Sequence, residues 1–418
     1  MRIILFEDHA VTHLQPLTCA RPAHAITCGS YRLFELVGRL GHPVIGKVRP
    51  YLSRLQSQEY GIASTDRIDD DTLWVNARIV PHLQNLAKLE TLVRLNRAGV
   101  ARQGATLLAA LVPRGVTCAE LEFGQYENVY PSADLPERTV ELDVFEYPHD
   151  VIRWNVACIH DNLVDRLRHG GYSQVEPGVW MADNVTWDDS IRFDTTNGPV
   201  VVDHGAQILP FVYLKGPVYI GNQVRINEHA SIKNASVISA NCKIGGEVDS
   251  SIFEPHANKQ HYGFIGHSHI GSWVNLGGGT TNSNLKNTYG HVRMRYPIVH
   301  PDGMVETHSV DSEMTFVGCF VGDFSKTAIN TSIFTGKSVG VCSMLYGVIT
   351  ADVPAFINEA SSLGDQSSVS VEVMIATLKR VFARRGRPQT EADVQLIKDL
   401  HELYSPSQSE LVVRPLSL

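Results

Sequence analysis

The sequence has no paired cysteines, no long basic run and no long apolar run. None of its seven cysteines forms a CxxC pair, which argues against both a disulfide framework and a zinc knuckle. The net charge is −8 without a basic run, which argues against nucleic acid as the main partner. No apolar stretch reaches the ~18 residues of a membrane span, and the N-terminal MRIILFEDHAV lacks the apolar region of a signal peptide. We therefore expect a cytoplasmic protein with no membrane association.

An aliphatic residue recurs at every sixth position in the middle of the chain. The series is Val202, Ile208, Leu214, Ile220, Ile226, Ile232, Ile238 and Ile244. A helix repeats about every 3.6 residues and a strand about every 2, so neither explains this period. A hexapeptide-repeat β-helix does, because each short strand is one side of a triangular coil with the sixth residue inward. The pattern returns at Phe264, Ile270 and Leu276, and then at Val321, Thr327, Ile333, Val339 and Leu345.

The remainder of the chain divides around this solenoid. Residues 1–150 alternate strand and helix patterns, which predicts an α/β domain with a parallel sheet. Residues 151–174 predict a helical connector that stops at Gly170 and Gly171. The β-helix is expected over residues 175–353, and residues 354–418 predict a helical extension that caps the coil or contacts another copy.

Single elements and two interruptions can also be read from the pattern. The predicted strands cover 2–6 and 72–75, and the predicted helices cover 31–40, 80–94, 368–384 and 389–404. Polar stretches near 246–262 and at 282–312 predict loops that leave the coil.

The densest polar segment of the solenoid carries a family motif. Residues 260–285 read QHYGFIGHSHIGSWVNLGGGTTNSNL. This stretch resembles, without gaps, the acetyltransferase half of the bacterial bifunctional enzyme that makes UDP-N-acetylglucosamine. It resembles more closely a divergent branch described as sugar nucleotidyltransferases, and that resemblance covers most of the chain. It implies a nucleotidyltransferase-like, Rossmann-like α/β domain followed by a left-handed parallel β-helix.

The resemblance assigns roles in the acetyltransferase half. His261 falls on the catalytic histidine, which accepts the proton of a sugar amine, and imidazole titrates near neutral pH. Asn275 and Asn284 fall on substrate-contacting asparagines. Phe264 also falls at the substrate, where the family has a tyrosine.

Glycines and cations complete the predicted acetyltransferase site. Gly277, Gly278 and Gly279 allow backbone N–H groups to approach the thioester or pantetheine of acetyl-CoA. Three downstream cations, Lys286, Arg293 and Arg295, are candidates for binding a sugar phosphate or the phosphates of coenzyme A.

The N-terminal half resembles the nucleotidyltransferase motif R-L-R-P-L-T-x-x-x-P-K-P more distantly. Residues 14–18 read LQPLT, and the first 46 residues contain no lysine. The resemblance then implies nucleotide contacts from Thr18, Arg21 and Gly29, and from Asn76 and Arg78, which stand where the family has its metal-binding G-D-x-P. Candidate Mg²⁺ ligands are Asp8 and Asn155, together with Asp150.

We predict a two-part transferase on these grounds. A Mg²⁺-dependent sugar-1-phosphate nucleotidyltransferase, which uses a nucleoside triphosphate, is coupled to an acetyl-CoA-dependent N-acetyltransferase that acts on an amino-sugar phosphate. The resemblance implies a homotrimer with active sites between neighbouring coils. Three alternatives stay open. The β-helix only trimerises a nucleotidyltransferase, or the N-terminal half of an acetyltransferase is inactive, or His256 and His261 bind zinc with a histidine from a neighbouring chain in a β-helix hydratase.

Overall fold

The computed structural model describes residues 1–64, 70–114, 135–299 and 305–405. An α/β unit comes first, one long helix follows it, and a parallel β-helix then carries two helices on its side near the C-terminus. None of the helices in these ranges has the length and apolar character that a membrane span needs.

The α/β unit is built on a mixed sheet. Its strands are β1 (Arg2–Phe6), β2 (Val44–Lys47), β3 (Thr72–Asn76), β4 (Gly99–Gln103) and β5 (Thr106–Val112), and its helices are α1 (Leu33–Gly38), α2 (Ser53–Tyr60) and α3 (Leu83–Leu95), with 3-10 turns at His9–Leu14, Ala23–Ala25 and Pro50–Leu52. The strand order is β2-β1-β3-β5-β4, and only β1, β2 and β3 are parallel. The predicted parallel sheet holds for β1, β2 and β3 and is wrong at β5, which pairs antiparallel with both β3 and β4 and forms a hairpin with β4 around Gly104 at φ +58°.

A long helix, α4 (Pro148–His169), connects this unit to the β-helix. Pro148 occupies its first turn, and the Asp150 carboxylate accepts the backbone N–H groups of Glu146 and Tyr147 at 3.0 and 2.9 Å. Because of these capping contacts the helix begins at Pro148, before residue 151, where the apolar pattern predicted the connector to begin. Its apolar face, with Ile152 and Ile159, packs in one cluster with the α/β unit and the outer side of the coil.

The β-helix consists of short strands separated by tight corners. Its first strands are β6 (Ser173–Glu176), β7 (Val179–Met181), β8 (Arg192–Asp194), β9 (Val200–Val202), β10 (Gln207–Ile208), β11 (Tyr213–Lys215), β12 (Val218–Ile220), β13 (Arg225–Ile226), β14 (Ser231–Lys233), β15 (Ser236–Ile238), β16 (Lys243–Ile244), β17 (Glu247–Asp249), β18 (Ile252–Phe253), β19 (Asn258–Lys259), β20 (Phe264–Gly266), β21 (His269–Ile270) and β22 (Thr281–Asn282). A hairpin of β23 (Arg293–Val299) and β24 (Val305–Asp311) then leaves the coil.

The coil resumes after the hairpin. Its later strands are β25 (Cys319–Val321), β26 (Lys326–Thr327), β27 (Ser332–Ile333), β28 (Lys337–Val339), β29 (Met344–Leu345), β30 (Val348–Ile349), β31 (Ile357–Ala360) and β32 (Asp365–Ser368). A 3-10 turn at Ser361–Leu363 connects β31 to β32, and helices α5 (Val371–Ala383) and α6 (Glu391–Tyr404) follow β32. The predicted loop at 282–312 thus leaves the coil as expected. The one predicted near 246–262 is wrong, because β17, β18 and β19 pair with the coils on both sides.

Three walls of parallel strands enclose the core. The first wall contains β7, β9, β12, β15, β18, β21, β25 and β28, the second wall contains β10, β13, β16, β19, β26, β29 and β31, and the third wall contains β8, β11, β14, β17 and β20 and continues with β22, β27 and β30. All eight members of the sixfold series from Val202 to Ile244 are buried in this core, as predicted.

The inward series changes register after Ile244. Ile244 is followed inward by Val248 on the third wall rather than by a residue six positions on, because Gly245 and Gly246 make a short corner. As a result Ile265 points inward and Phe264, which was predicted there, is only half-buried. Lys259 pairs beside Ile244 and takes the inward place on the second wall, where the two neighbouring coils have Ile244 and Leu276.

Both ends of the coil are closed by antiparallel pairs. β6 folds back on β7 at one end, and β32 folds back on β31 at the other. Helices α5 and α6 begin at Ser370 and Thr390, whose side chains cap them. Phe382 and Leu378 of α5 pack with Trp273 in one apolar cluster that covers part of the coil.

Candidate functional site

Three successive coils form a cavity at the corner between the second and third walls. The cavity has a volume of about 450 Å³ and is lined by Gln260, His261, Tyr262, Asn275, Leu276, Gly277, Gly278 and Ile329. We call it the His261 cavity. It contains four of the predicted acetyltransferase residues, His261, Asn275, Gly277 and Gly278. The His261 side chain is exposed, so its ring is open to a ligand.

The three glycines of this corner differ in what their backbones do. The N–H group of Gly277 donates to Thr327 Oγ1 at 2.9 Å, and that of Gly279 donates to the Tyr262 carbonyl at 3.0 Å. Within the described ranges, the N–H group of Gly278 has no hydrogen-bond partner. Gly278 therefore offers the one free backbone donor among the three glycines, whereas the sequence predicted donors from the whole run.

Lys259 supports the corner from inside the coil. Its ammonium group donates to the carbonyl oxygens of Gly245 at 2.7 Å and His261 at 3.1 Å. Burial lowers the pKa of Lys259 to about 8. A buried lysine that holds the His261 carbonyl fixes the backbone from which the imidazole projects, and the sequence analysis missed it because its inward position follows the short corner.

Asn284 lies at a different corner, between the third and first walls. Its amide nitrogen is 2.9 Å from Nδ1 of His267, and His267 stacks on Phe316 with ring centroids 5.3 Å apart. Burial lowers the pKa of His267. Phe264 lies on the same coil as His267, against Gly266. One chain thus does not bring Asn284 or Phe264 into the His261 cavity.

The three predicted phosphate-binding cations also lie away from the His261 cavity. Lys286 donates to the His291 carbonyl at 2.6 Å, and Arg293 lies 3.6 Å from Asp311 on the neighbouring strand of the hairpin. Arg295 lines another cavity, next to Asp352. Phosphate binding by any of them is not tested by this placement and stays a prediction.

His256, the second histidine of the zinc alternative, is packed against Trp273. The two rings are parallel, with centroids 4.0 Å apart. Burial, then Arg385 and Arg387, lower the pKa of His256 to about 4. Two arginines beside the ring oppose the approach of a zinc ion, and in the described ranges no three His, Cys, Asp or Glu side chains are grouped as metal ligands.

The carboxyl ends of β1, β2 and β3 bring predicted N-terminal residues together. Arg78 donates to both oxygens of Asp8, at 2.7 and 2.6 Å, and Asn76 donates to Asp8 at 2.8 Å. Glu7 and Arg49 form a second, fully buried pair. This edge is where open α/β sheets bind ligands, but here its side chains are bonded to each other.

The candidate Mg²⁺ ligands do not fit a metal site. The Asp8 carboxylate faces the N–H donors of Arg78 and Asn76, and these outweigh burial and lower its pKa. The side-chain oxygen Oδ1 of Asn155 accepts the N–H group of Gly29 at 2.8 Å. Asp150 caps α4 and pairs with Arg153. Each candidate oxygen thus already accepts hydrogen bonds in a separate place.

The other predicted nucleotide contacts are buried. Thr18 donates to the Val11 carbonyl at 3.0 Å, and Gly29 has φ +58° in a turn held by Asn155. Arg21 is 2% exposed and pairs with Glu254 at 2.7 Å and with Asp323, both on the first wall's side of the coil. Phosphate binding by Arg21 would require these buried ion pairs to break, so the structure favours a role in joining the two units.

Comparisons with known proteins relate the chain to sugar-nucleotide transferases. Residues 3–166 match the family model described as sugar nucleotidyl transferase. The chain is 26% identical over 209 residues to a bifunctional sugar-1-phosphate nucleotidylyltransferase/acetyltransferase of Sulfurisphaera tokodaii, covering 46% of this chain and 50% of that protein. It is 24% identical over 288 residues to the bifunctional protein GlmU of Clostridium perfringens, covering 68% and 48%. The chain thus spans about half the length of these relatives.

Among solved structures, the chain is similar to an Arabidopsis UDP-N-acetylglucosamine acyltransferase, with 11% identity, a TM-score of 0.27 and coverage of 55% of this chain and 92% of that one. It is also similar to PerB of Caulobacter crescentus, with 13% identity, a TM-score of 0.15 and coverage of 47% and 59%. The sequence matches fit a divergent branch of the bifunctional family, and the predicted fold class, an α/β domain followed by a parallel β-helix and C-terminal helices, is confirmed.

Proposed function

We propose that this chain transfers an acetyl group from acetyl-CoA to the amine of an amino-sugar phosphate, at the His261 cavity. The observation that carries the proposal is that His261, Asn275 and Gly278 meet in one open cavity at a single corner. An exposed imidazole, a neutral amide and a free backbone N–H group are the groups that this reaction needs.

The proposed step uses His261 as general base. The amine nitrogen attacks the thioester carbonyl carbon while a ring nitrogen of His261 takes the amine proton. The free N–H group of Gly278 stabilises the negative charge that develops on the carbonyl oxygen. The C–S bond then breaks, the thiolate takes up a proton, and the products are the N-acetylated sugar phosphate and the free thiol of coenzyme A.

For the N-terminal half, the proposal includes nucleotidyl transfer from a nucleoside triphosphate to the sugar phosphate. The family match over residues 3–166 supports this activity. The bonded side chains at the sheet edge, and above all the Asp8–Arg78 pair, oppose a Mg²⁺-dependent step there. The acetyl transfer is therefore tested first.

A homotrimer is part of the same proposal. His261 and Asn284 lie on successive coils and at different corners of the β-helix, so a site that uses both needs two copies of the chain side by side. The exposed Tyr262 ring, 68% accessible at the His261 corner, supports a neighbouring copy at this place.

The proposal predicts thiol release when the protein meets acetyl-CoA and glucosamine 1-phosphate together. Release is followed with a thiol-reactive dye, and acetyl-CoA alone gives the background of hydrolysis. Glucose 1-phosphate is the matched control, because it has a hydroxyl where glucosamine 1-phosphate has the amine. Equal release with both sugars, or release with neither, would contradict amine acetylation of this substrate.

Two glycine-to-alanine substitutions distinguish an effect on the His261 cavity from an effect on the stability of the fold. A Cβ at Gly278 would lie 3.5 Å from His261 Cβ, an ordinary contact, so Gly278→Ala is expected to keep the unfolding midpoint but to slow acetyl transfer roughly 10- to 100-fold by filling the cavity. Gly279 has φ +77°, and a Cβ there would lie 2.1 Å from Asn330 Oδ1. Gly279→Ala is therefore expected to cost about 1–3 kcal/mol of stability. Thermal unfolding and initial rates are measured on both variants, and full activity of Gly278→Ala would contradict the site.

A further inference from the structure

A second, positively charged cavity adjoins the His261 cavity. It has a volume of about 280 Å³, and its lining includes Lys243, His256, Lys326, Arg384 and Arg385. We call it the basic cavity. No acidic residue belongs to its lining in the described part of the chain. Gln260 and Asn275 line both cavities, so the two are direct neighbours.

The coil and the C-terminal helices build the basic cavity together. Lys243, Asn258, Asn275 and Lys326 stand in register on four successive coils of the second wall, and neighbouring strands lie about 4.8 Å apart. Arg384 and Arg385 follow the last turn of α5. Arg385 donates to Asn258 Oδ1 at 2.5 Å and to the Asn241 carbonyl at 3.2 Å. These two hydrogen bonds fix the Arg385 guanidinium group against these four coils of the second wall.

The same contacts orient Asn275. Its Oδ1 atom accepts from the amide nitrogen of Asn258 at 3.3 Å, and Asn258 in turn accepts from Arg385. The Asn275 amide nitrogen has no partner among the described residues, so it is left to donate to a ligand. Arg385 is thus connected through two amides to the His261 cavity.

The cations of the basic cavity lack anionic partners. In the described ranges none of Lys243, Lys326, Arg384 and Arg385 forms an ion pair with a carboxylate. Burial lowers the pKa of Lys326 to about 8, and its ammonium donates to the Phe324 carbonyl at 2.8 Å. Burial, followed by Arg385, lowers the pKa of Lys243. Cations that lie side by side without carboxylate partners are stabilised by a bound anion.

We propose that the basic cavity is a phosphate-binding subsite that holds the phosphate groups of the thioester donor in the proposed acetyl transfer. This inference rests on the proposed function. The phosphates of coenzyme A are joined to its sulfur by a long flexible arm, so phosphates and thioester can occupy adjoining cavities. In glucosamine 1-phosphate, the phosphate is on the carbon next to the one that carries the amine, which keeps both groups within one cavity.

Binding experiments on the full chain test the subsite without requiring turnover. Inorganic pyrophosphate is titrated calorimetrically into the wild type, Lys326→Met, Arg385→Met and His261→Ala. We expect at least tenfold weaker binding for Lys326→Met and Arg385→Met, and unchanged binding for His261→Ala. Lys379→Met is the matched control, since it removes an exposed cation from α5 outside the cavity lining. Equal binding by Lys326→Met and Lys379→Met, or no binding by the wild type, would overturn the subsite.

Competition identifies the source of the phosphate. Coenzyme A is expected to displace pyrophosphate, and displacement by glucosamine 1-phosphate alone would overturn the assignment to the donor. Failure of the proposed function has a different signature. In that case the Lys326-dependent pyrophosphate binding and its displacement by coenzyme A remain, while no thiol is released with any amino sugar.

Discussion

Replacing His261 with alanine is expected to lower the rate of acetyl transfer by about 10²–10⁴-fold, the range that a general base contributes. His261 is the only imidazole that lines the cavity in the described part of the chain. Its ring is exposed and has no hydrogen bond there, so the substitution is expected to leave the unfolding midpoint unchanged. Initial rates of thiol release at saturating acetyl-CoA measure the effect.

His267→Ala is the control for the His261 substitution. His267 belongs to the same motif, but its ring stacks on Phe316 at another corner. His267→Ala is expected to keep more of the rate than His261→Ala, because His267 reaches the proposed site only through its hydrogen bond to Asn284. Equal rates for the wild type and His261→Ala would remove His261 as the base and leave the cavity without a proton acceptor.

Replacing Arg21 with methionine is expected to destabilise the protein by about 3–5 kcal/mol, the cost of leaving a buried charge without its partner. The side chains of Arg21, Glu254 and Asp323 are each 3% exposed or less. Glu254 also accepts from the backbone and hydroxyl of Thr27, at 2.9 and 2.8 Å. Loss of the guanidinium would leave two carboxylates facing each other where the α/β unit meets the coil.

The destabilisation of Arg21→Met is expected to depend on pH. Burial raises the pKa of Glu254, but Arg21 outweighs it and holds that pKa well below the usual value. Glu254 therefore contributes stability above the unfolded pKa of about 4.3, and this contribution is lost as the pH falls. Burial raises the pKa of Asp323 despite Arg21, so Asp323 opposes folding as it ionises. Without Arg21 both carboxyls favour protonation in the folded state, so the difference from wild type should shrink as the pH falls from 7 toward 4.

Urea midpoints at pH 7 and at pH 4 measure this difference. Arg39→Met is the control, because Arg39 pairs with Asp165 nearer the surface, with its side chain 29% exposed, and such pairs contribute about 1 kcal/mol or less. A loss at pH 7 no larger than that of Arg39→Met would contradict the buried network. A larger loss at pH 4 would contradict its pH dependence.

The sixfold period predicted the β-helix because this period depends only on which residues point into the core. It failed after Ile244, where the corner at Gly245 and Gly246 shortens the step to Val248. Corner lengths do not show in a periodicity, so Phe264 was placed inward and Lys259 went unnoticed. In the α/β unit, the apolar runs predicted β1 and β3, but β2 and the β4–β5 hairpin were not predicted, and the hairpin depends on one two-residue turn.

The candidate site was predictable where residues lie in neighbouring coils. His261 and Gly278 are brought together by stacking of the repeat, and the sequence predicted both. Arg21 and Arg385 could not be assigned in this way. Their partners Glu254 and Asn258 are distant in sequence and meet them only when the α/β unit and α5 pack on the coil. Its residue type and its position in the sequence suggested that Arg21 contacts a nucleotide, whereas its burial against two carboxylates indicates that it stabilises the structure.

The antiparallel pairs at the two ends of the coil have a consequence for how copies of the chain meet. A parallel solenoid with bare ends would offer its last coil to the first coil of another copy, and repetition of that contact would build a fibre. Here β6 presents four exposed residues and runs antiparallel to β7, and β32 runs antiparallel to β31. These reversed strands do not continue the parallel register of the coil, which favours association of copies through the long sides of the coil.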